Sequence, residues 1–429
     1  MATFPPEILD RILSFLRADI GSLKACSRAH PFLCNIAQPH LFGNVRVHNY
    51  PRTMPNMFTC SELFNALKSE PHIAHYIYEL AFDLVYIESV EDITSVLSMN
   101  FPNLVAVELA GTSEPWRFVC EPFRASFVAF LGLPSIREVT IKRVQHFPLA
   151  ELDRCKRLVK LKIDGHFTFS RLGNSPRPNP DLESLSIYHR CTGCLPGILT
   201  WAKLLNLRHL DISPSYSSAE DFSLLFQSCP SIMNLGLDLR HDCNSLYMLP
   251  VITTKMLSLA RTIYRPAATP PVSTNLNLSA LTNLKELTFH AFVYLSVQNT
   301  GTSDVVATSP SSTVRYESSI PTILRLFKTA PSTKHLTLRL FFTLEKNATI
   351  SDIPDWCELT SFFVDPPPNS LQCIDLYVSA RKMARDLPPS EILPSLQEDP
   401  ALRELSRRGV LIINPEVHVC RFRNCCNPK

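Results

Sequence analysis

Leu158-Val159-Lys160-Leu161-Lys162-Ile163 decides the fold, because its spacing recurs. Apolar residues separated by two positions and then by one return as Leu182-Leu185-Ile187 and Leu207-Leu210-Ile212. They have already occurred as Ile77-Leu80-Phe82, Leu104-Val107-Leu109 and Ile136-Val139-Ile141. They continue as Ile232-Leu235-Leu237, Leu284-Leu287-Phe289, a degenerate Thr333-Leu336-Leu338, and Leu371-Ile374-Leu376. The first six starts lie 27, 32, 22, 24 and 25 residues apart. One such pattern means little. Ten in order, at a near-constant period, predict a repeat array with one short strand per unit.

Helical patterns lie between these strands. Ser218 to Phe226 opens with a capping-box-like Ser-x-x-Asp, and Glu91 to Leu97, Phe123 to Phe130 and Ile320 to Phe327 carry apolar residues at helical spacing. A single strand–helix unit has one apolar face and nothing to bury it against, so the array is stable only when stacked. The expected fold class is therefore α/β. The pattern resembles leucine-rich repeats, which implies an irregular solenoid with a curved parallel sheet on the concave side and helices on the convex side. In the usual form of that repeat an Asn stands three residues after the last strand apolar position. Those places hold Val85, Thr112, Val144, His166, Arg190, Ser215, Arg240, Phe292, Phe341 and Ser379, so the turns must be satisfied differently. The long gap from Ile232 to Leu284 predicts a degenerate unit near residues 246–264.

Composition bounds the function classes. Hydrophobic residues at 45% and charged residues at 19% of 429 describe a folded, soluble chain, and a net charge of +3 points to no polyanion. With no basic-then-apolar leader and no run of about 18 apolar residues, the chain is expected in a reducing compartment, cytoplasmic and/or nuclear, without membrane or nucleic-acid partners. Most of its 14 cysteines then read as small buried apolar residues. Eleven glycines against 35 prolines argue against nucleotide-cradling loops.

The first 47 residues stand outside the repeat. Pro5 and Pro6 open a helix that carries Ile8, Leu9, Ile12, Leu13, Phe15 and Leu16. Prolines fit there because the first N–H groups of a helix have no partner to lose. These side chains cover more than one face, and a module of about 45 residues can bury only part of them. The surplus is a helix-packing surface, used either by a partner or to cap the open end of the array.

Phe4-Pro5-Pro6-Glu7-Ile8-Leu9, with Ile12-Leu13-Ser14-Phe15-Leu16, resembles the opening of an F-box, and Ala25-Cys26-Ser27 with Ile36-Ala37-Gln38-Pro39-His40-Leu41-Phe42 resembles its later part, in the form found in mushroom-forming fungi. The resemblance implies a three-helix module that binds a Skp-family adaptor and, through it, a cullin scaffold. The repeats would then capture an unidentified target for ubiquitylation, in a substrate-recognition subunit of an SCF-type ligase. The alternative is a repeat scaffold without a ligase role, whose first helices are a cap. Ala29-His30-Pro31-Phe32-Leu33 departs from the Val-Cys-Arg-x-Trp-like run of the family and puts the third helix in question.

Domains are expected at 1–47, 48–413 and 414–429, with a flexible Ser/Thr-rich insertion at 296–319. Adaptor binding is assigned to Pro5, Pro6, Ile8, Leu9, Ile12, Leu13, Phe15 and Leu16. Target binding is assigned to strand residues that alternate with the buried ones: Glu79, Glu108, Glu138, Lys160, Lys162, His209, Asp211 and Glu286. No enzyme activity, cofactor or metal is expected. Phosphate loops, His-Glu-x-x-His and Gly-x-Ser-x-Gly do not occur. Cys191-Thr192-Gly193-Cys194 lacks a second pair, and His418, Cys420, Cys425 and Cys426 sit in a short tail.

Overall fold

A computed structural model describes residues 5–415 except 17–18, 49–56, 85–89, 112–114, 166, 169–179, 189–193, 214–218, 240–276, 300–311, 331–332, 345–353, 365–370, 383–384 and 387–388. The expected unit at 246–264 and the tail cysteines lie outside these residues, as do the side chains of the Cys191–Cys194 pair. The chain forms two compact units, 1–206 and 207–429.

The first unit begins with three helices: α1 (Pro6–Phe15), α2 (Ile20–Ala29) and α3 (Pro31–Phe42). Asp19 caps α2, its carboxylate accepting from the Ser22 N–H (3.1 Å) and hydroxyl (2.6 Å). Those bonds hold the Asp19 carboxyl below the usual carboxylate range. Pro31, which breaks the family pattern, is the first residue of α3, and His30 Nδ1 accepts from the Phe32 N–H at 3.1 Å. The proline therefore starts the third helix. Leu13, Ile20, Leu23, Ala37 and Leu41 form the core of the three helices, and His40 Nε2 meets Asp10 Oδ1 at 2.8 Å to tie α3 to α1.

Gly43 turns α3 directly into β1 (Asn44–Val47), where a Cβ would come within 2.7 Å of the Pro39 carbonyl. A parallel sheet follows: β2 (Met57–Phe58) pairs with β1, then come β3 (Glu79–Asp83), β4 (Ala106–Ala110), β5 (Glu138–Lys142), β7 (Lys160–Asp164) and β9 (Ser184–Tyr188). The short strands β6 (Phe147–Pro148) and β8 (Phe167–Thr168) pair apart from it. Leu80, Val107, Val139, Leu161 and Leu185 stand in register and are buried. Helices α4 (Cys60–Ser69), α5 (Val90–Leu97), α6 (Glu121–Phe130) and α7 (Cys194–Trp201) provide crossovers. Phe82 of β3 packs edge-on against Phe127 and Phe130 of α6, so the helices cover the apolar face and leave the other open.

In the second unit, β10 (His209–Ile212), β11 (Asn234–Asp238), β12 (Glu286–Asn299), β14 (His335–Leu344), β15 (Cys373–Lys382) and β17 (Leu411–Pro415) run parallel in that order. Antiparallel strands β13 (Ser312–Ser318) and β16 (Arg385–Asp386) join β12 and β15. Helices include α8 (Ala219–Ser228), Ile320–Lys328 and Pro354–Val364.

All ten expected strands form, each starting two residues after the first apolar position of its pattern. Seven further strands among the described residues were not expected, and two of them continue the repeat's register. β1 carries the same spacing as Phe42-Val45-Val47 inside the N-terminal module, and β17 extends two residues past the expected end of the array. The insertion at 296–319 needs correction. Residues 296–299 lie in β12, 312–318 form β13 paired to it, and Ser319 and Leu239 are joined by a buried hydrogen bond. Its Val, Thr and Tyr residues favour strand, which its Ser/Thr content had masked as loop.

The missing turn asparagines are replaced by backbone and by other asparagines. At nine strand junctions among the described residues, the carbonyl just before a strand accepts from two consecutive N–H groups of the next strand's start. Gly43 O takes Tyr78 and Glu79, Tyr78 O takes Val105 and Ala106, Val105 O takes Arg137 and Glu138, and Met233 O takes Lys285 and Glu286. Asn103 and Asn283, each just before a pattern start, donate to His75 O (2.7 Å) and Pro230 O (2.9 Å) of the preceding repeat.

Thr333 occupies a leucine position. It is 1% exposed and its hydroxyl has no hydrogen-bond partner among the described residues. An unmade buried hydrogen bond costs about 1–3 kcal/mol. Thr333→Val, which keeps the shape, should raise the urea unfolding free energy by about 1 kcal/mol. An unchanged or lower midpoint would show that the hydroxyl is satisfied. Burial pushes the Cys155 and Cys229 thiols up to about 12, leaving a thiolate fraction of about 10⁻⁴ at pH 8. Iodoacetamide followed by peptide mass spectrometry should spare both in the folded chain and modify both in urea.

Candidate partner-docking surfaces

The first surface is α1. Leu9, Leu13 and Leu16 recur at i, i+4, i+7, as do Ile8, Ile12 and Phe15, so the helix carries two neighbouring apolar stripes. The leucine stripe turns inward: Leu13 is 3% exposed, while Leu9 and Leu16 are half-buried, Leu16 against the module core. The second stripe faces out, with Ile8 at 47%, Ile12 at 48% and Phe15 at 77% exposure. Pro5 and Pro6 are exposed at its start, and Phe32 is exposed on α3. Of the eight residues assigned to adaptor binding, Leu13 is thus corrected to a core position. Helical period places it about 100° round from Ile12, on the side facing α2 and α3.

The second surface is the open face of the sheets. In the first unit it carries two rows in register: Asn44, Glu79, Ala106, Glu138, Lys160 and Ser184, then Arg46, Ala81, Glu108, Thr140, Lys162 and Ser186. All five sequence-assigned residues of this unit lie here, but their charges are engaged with neighbours. Glu108 is held by Lys142 Nζ at 2.7 Å and by Arg46 Nη2 at 3.5 Å. Glu138 meets Lys160 Nζ at 2.7 Å, and Glu79 accepts from the Asn44 amide. Lys162 Nζ lies 5.1 Å from the centre of the Tyr188 ring. Ala81 and Ser186 are buried. In the second unit His209 and Glu286 are exposed and Asp211 is half-buried. The Asp211 carboxylate leans over Gly236, into space that a Cβ would fill.

Among the described residues, no group of three or more His, Cys, Asp or Glu side chains is placed to hold a metal ion. No helix among them is long and apolar enough to cross a membrane. A cleft of about 460 Å³ lies within the first unit, between α2–α3 and α4, with Lys24, Arg28 and Gln38 on its rim and Leu41 and Ile73 on its floor.

No family model matches the chain, and no curated protein matches it. A solved structure described as the crystal structure of the Rad7 and Elc1 complex in yeast is similar at 11% identity and a TM-score of 0.36, covering 89% of this chain and 93% of that one.

The two stripes of α1 should separate in mutagenesis. Leu13→Ala should cost about 2–5 kcal/mol of stability, as buried leucines do. Phe15→Ala should stay within about 0.5 kcal/mol, as exposed positions do. Urea melts of the two variants decide it; equal losses would place Phe15 in the core.

Proposed function

We propose that this chain is a non-enzymatic substrate receptor of an SCF-type ubiquitin ligase. Its three N-terminal helices dock a Skp-family adaptor, the adaptor links it to a cullin scaffold, and the repeat units hold the target. The observation that carries this reading is the outward stripe of Ile8, Ile12 and Phe15. A helix whose inner face is already satisfied has no structural need for three more large apolar side chains. Full burial of each against a partner helix contributes about 1.5–3 kcal/mol. The F-box resemblance of the same residues supplies the partner class. The chain supplies no reacting group in this reading. It acts by proximity, raising the effective concentration of target lysines near a charged conjugating enzyme.

A second reading, a scaffold whose first helices only cap the array, is favoured by one observation. Gly43 joins α3 to β1 without a linker, and its carbonyl bonds the start of β3, so the helices are also the end of the sheet. The two readings separate in a pull-down. Purified Skp-family adaptor should be retained by the full chain and lost from an Ile8→Asp, Ile12→Asp, Phe15→Asp variant whose unfolding midpoint is unchanged. If the full chain retains no adaptor, the receptor reading fails and the cap reading stands.

A further inference from the structure

The cleft between α2–α3 and α4 is lined by side chains at helical spacing. From α2 come Ile20, Lys24 and Arg28, at i, i+4 and i+8. From α3 come Cys34, Gln38 and Leu41, at i, i+4 and i+7. On the far wall α4 offers the small side chain of Ala66. Ile20, Leu41 and Ile73 are buried at the base, so its deepest part is apolar. Phe42 and Phe58 line it as a stacked pair, with ring centres 6.1 Å apart.

Both cations on the rim are uncommitted. Lys24 and Arg28 are exposed, and no Asp or Glu oxygen lies within 4.0 Å of either among the described residues. On the sheet face of the same unit, by contrast, Arg46, Lys142 and Lys160 each meet a carboxylate. Like charges four residues apart destabilise a helix slightly, and an anion between them reverses the effect. Glu70, the one carboxylate lining the cleft among the described residues, is 3.8 Å from His72 Nε2. Gln38 Oε1 lies 3.4 Å from that same nitrogen. The cleft is thus apolar at its base and cationic along the α2 side.

We infer that this cleft binds a free fatty acid of medium chain length, with the alkyl chain on the apolar base and the carboxylate between Lys24 and Arg28. At about 30 Å³ per non-hydrogen atom, the share a water takes in the liquid, about 460 Å³ holds on the order of fifteen such atoms, the size of dodecanoate. Burial of the chain supplies the affinity, and charge-assisted hydrogen bonds select the head group. The apolar stems of Lys24 and Arg28 can cover the chain while their charged ends stay in water. A sugar or nucleotide base would leave polar groups unpaired against Ile20, Leu41 and Ile73. Neither the outward stripe of α1 nor the sheet face takes part, so the site stands apart from the receptor reading.

Alkylation of the full chain tests it. Cys34 lines the cleft, whereas Cys26, also half-buried in the three-helix module, does not. Dodecanoate should slow iodoacetamide modification of Cys34 and leave Cys26 unchanged, at concentrations where Cys155 and Cys229 stay unmodified. Dodecyltrimethylammonium, with the same chain and the opposite charge, should protect at least fivefold more weakly. Lys24→Gln with Arg28→Gln should raise the half-protecting dodecanoate concentration about fivefold, a shift that any change in the intrinsic reactivity of Cys34 does not mimic. Absence of Cys34 protection, equal protection of both cysteines, equal action of the two amphiphiles, or an unchanged double variant overturns the proposal. Protection of Cys34 by a peptide ending in Leu-Leu, but not by dodecanoate, would assign the cleft to a chain terminus and overturn it too. Adaptor retention, measured in parallel, reports on the receptor reading alone.

Discussion

A backbone carbonyl that accepts two successive N–H groups from the next strand's start, found at nine junctions among the described residues, is the constraint on which the rest depends. In the first unit it runs from Gly43 through Tyr78, Val105 and Arg137 to Val159, and in the second from Arg208 through Met233 and Lys285 to Lys334. The shared bond locks each strand to its predecessor at one point, before the ladder begins. Register is then fixed for everything downstream of that point, and a slip of one residue would turn every buried leucine outward. The bond uses only backbone, so the side chain at the carbonyl residue is free to be Gly, Tyr, Val, Arg, Met or Lys. That freedom explains how the repeats joined by these nine bonds keep one geometry while sharing little beyond three apolar positions.

The strands were legible because their signal is local. Three apolar positions at fixed spacing sit within six residues, and burial of two of them forces the alternation that aims the others at solvent. Two kinds of feature escaped. β1 carried the spacing in Phe42-Val45-Val47 but lay inside a stretch already assigned to the helical module, and β17 has Arg408 where the first apolar residue belongs. The β12–β13 ladder was hidden differently. Its residues alternate as a strand should, but serine and threonine content outweighed period, although threonine is itself a strand former.

The candidate surfaces show the same divide between local and long-range information. Helical period alone sorts α1 into two stripes, but which stripe is inward depends on α2 and α3. Leu13 meets Ile20, Leu23, Ala37 and Leu41, contacts that no spacing within α1 encodes. Taken strand by strand, the open face carries Glu79, Glu108 and Glu138 and then Lys160 and Lys162. Across strands those blocks are complementary partners, since Glu138 and Lys160 are 22 residues apart in sequence and neighbours in the sheet.

That pairing changes what the face can do. A carboxylate held by a lysine on the adjacent strand presents a dipole to a partner, and its field falls off within a few ångströms in water. Such pairs contribute modestly to sheet stability and give little steering. A carboxylate without a cation beside it keeps its full field and can be satisfied by an incoming group. The chain therefore uses one repeat geometry in two electrostatic regimes. In the first unit the rows are crosslinked among themselves, next to the helices that carry the exposed apolar stripe. In the second, no Lys, Arg or His nitrogen lies within 4.0 Å of Glu286 or Asp375 among the described residues. One backbone constraint therefore carries unequal charge compensation in the two units.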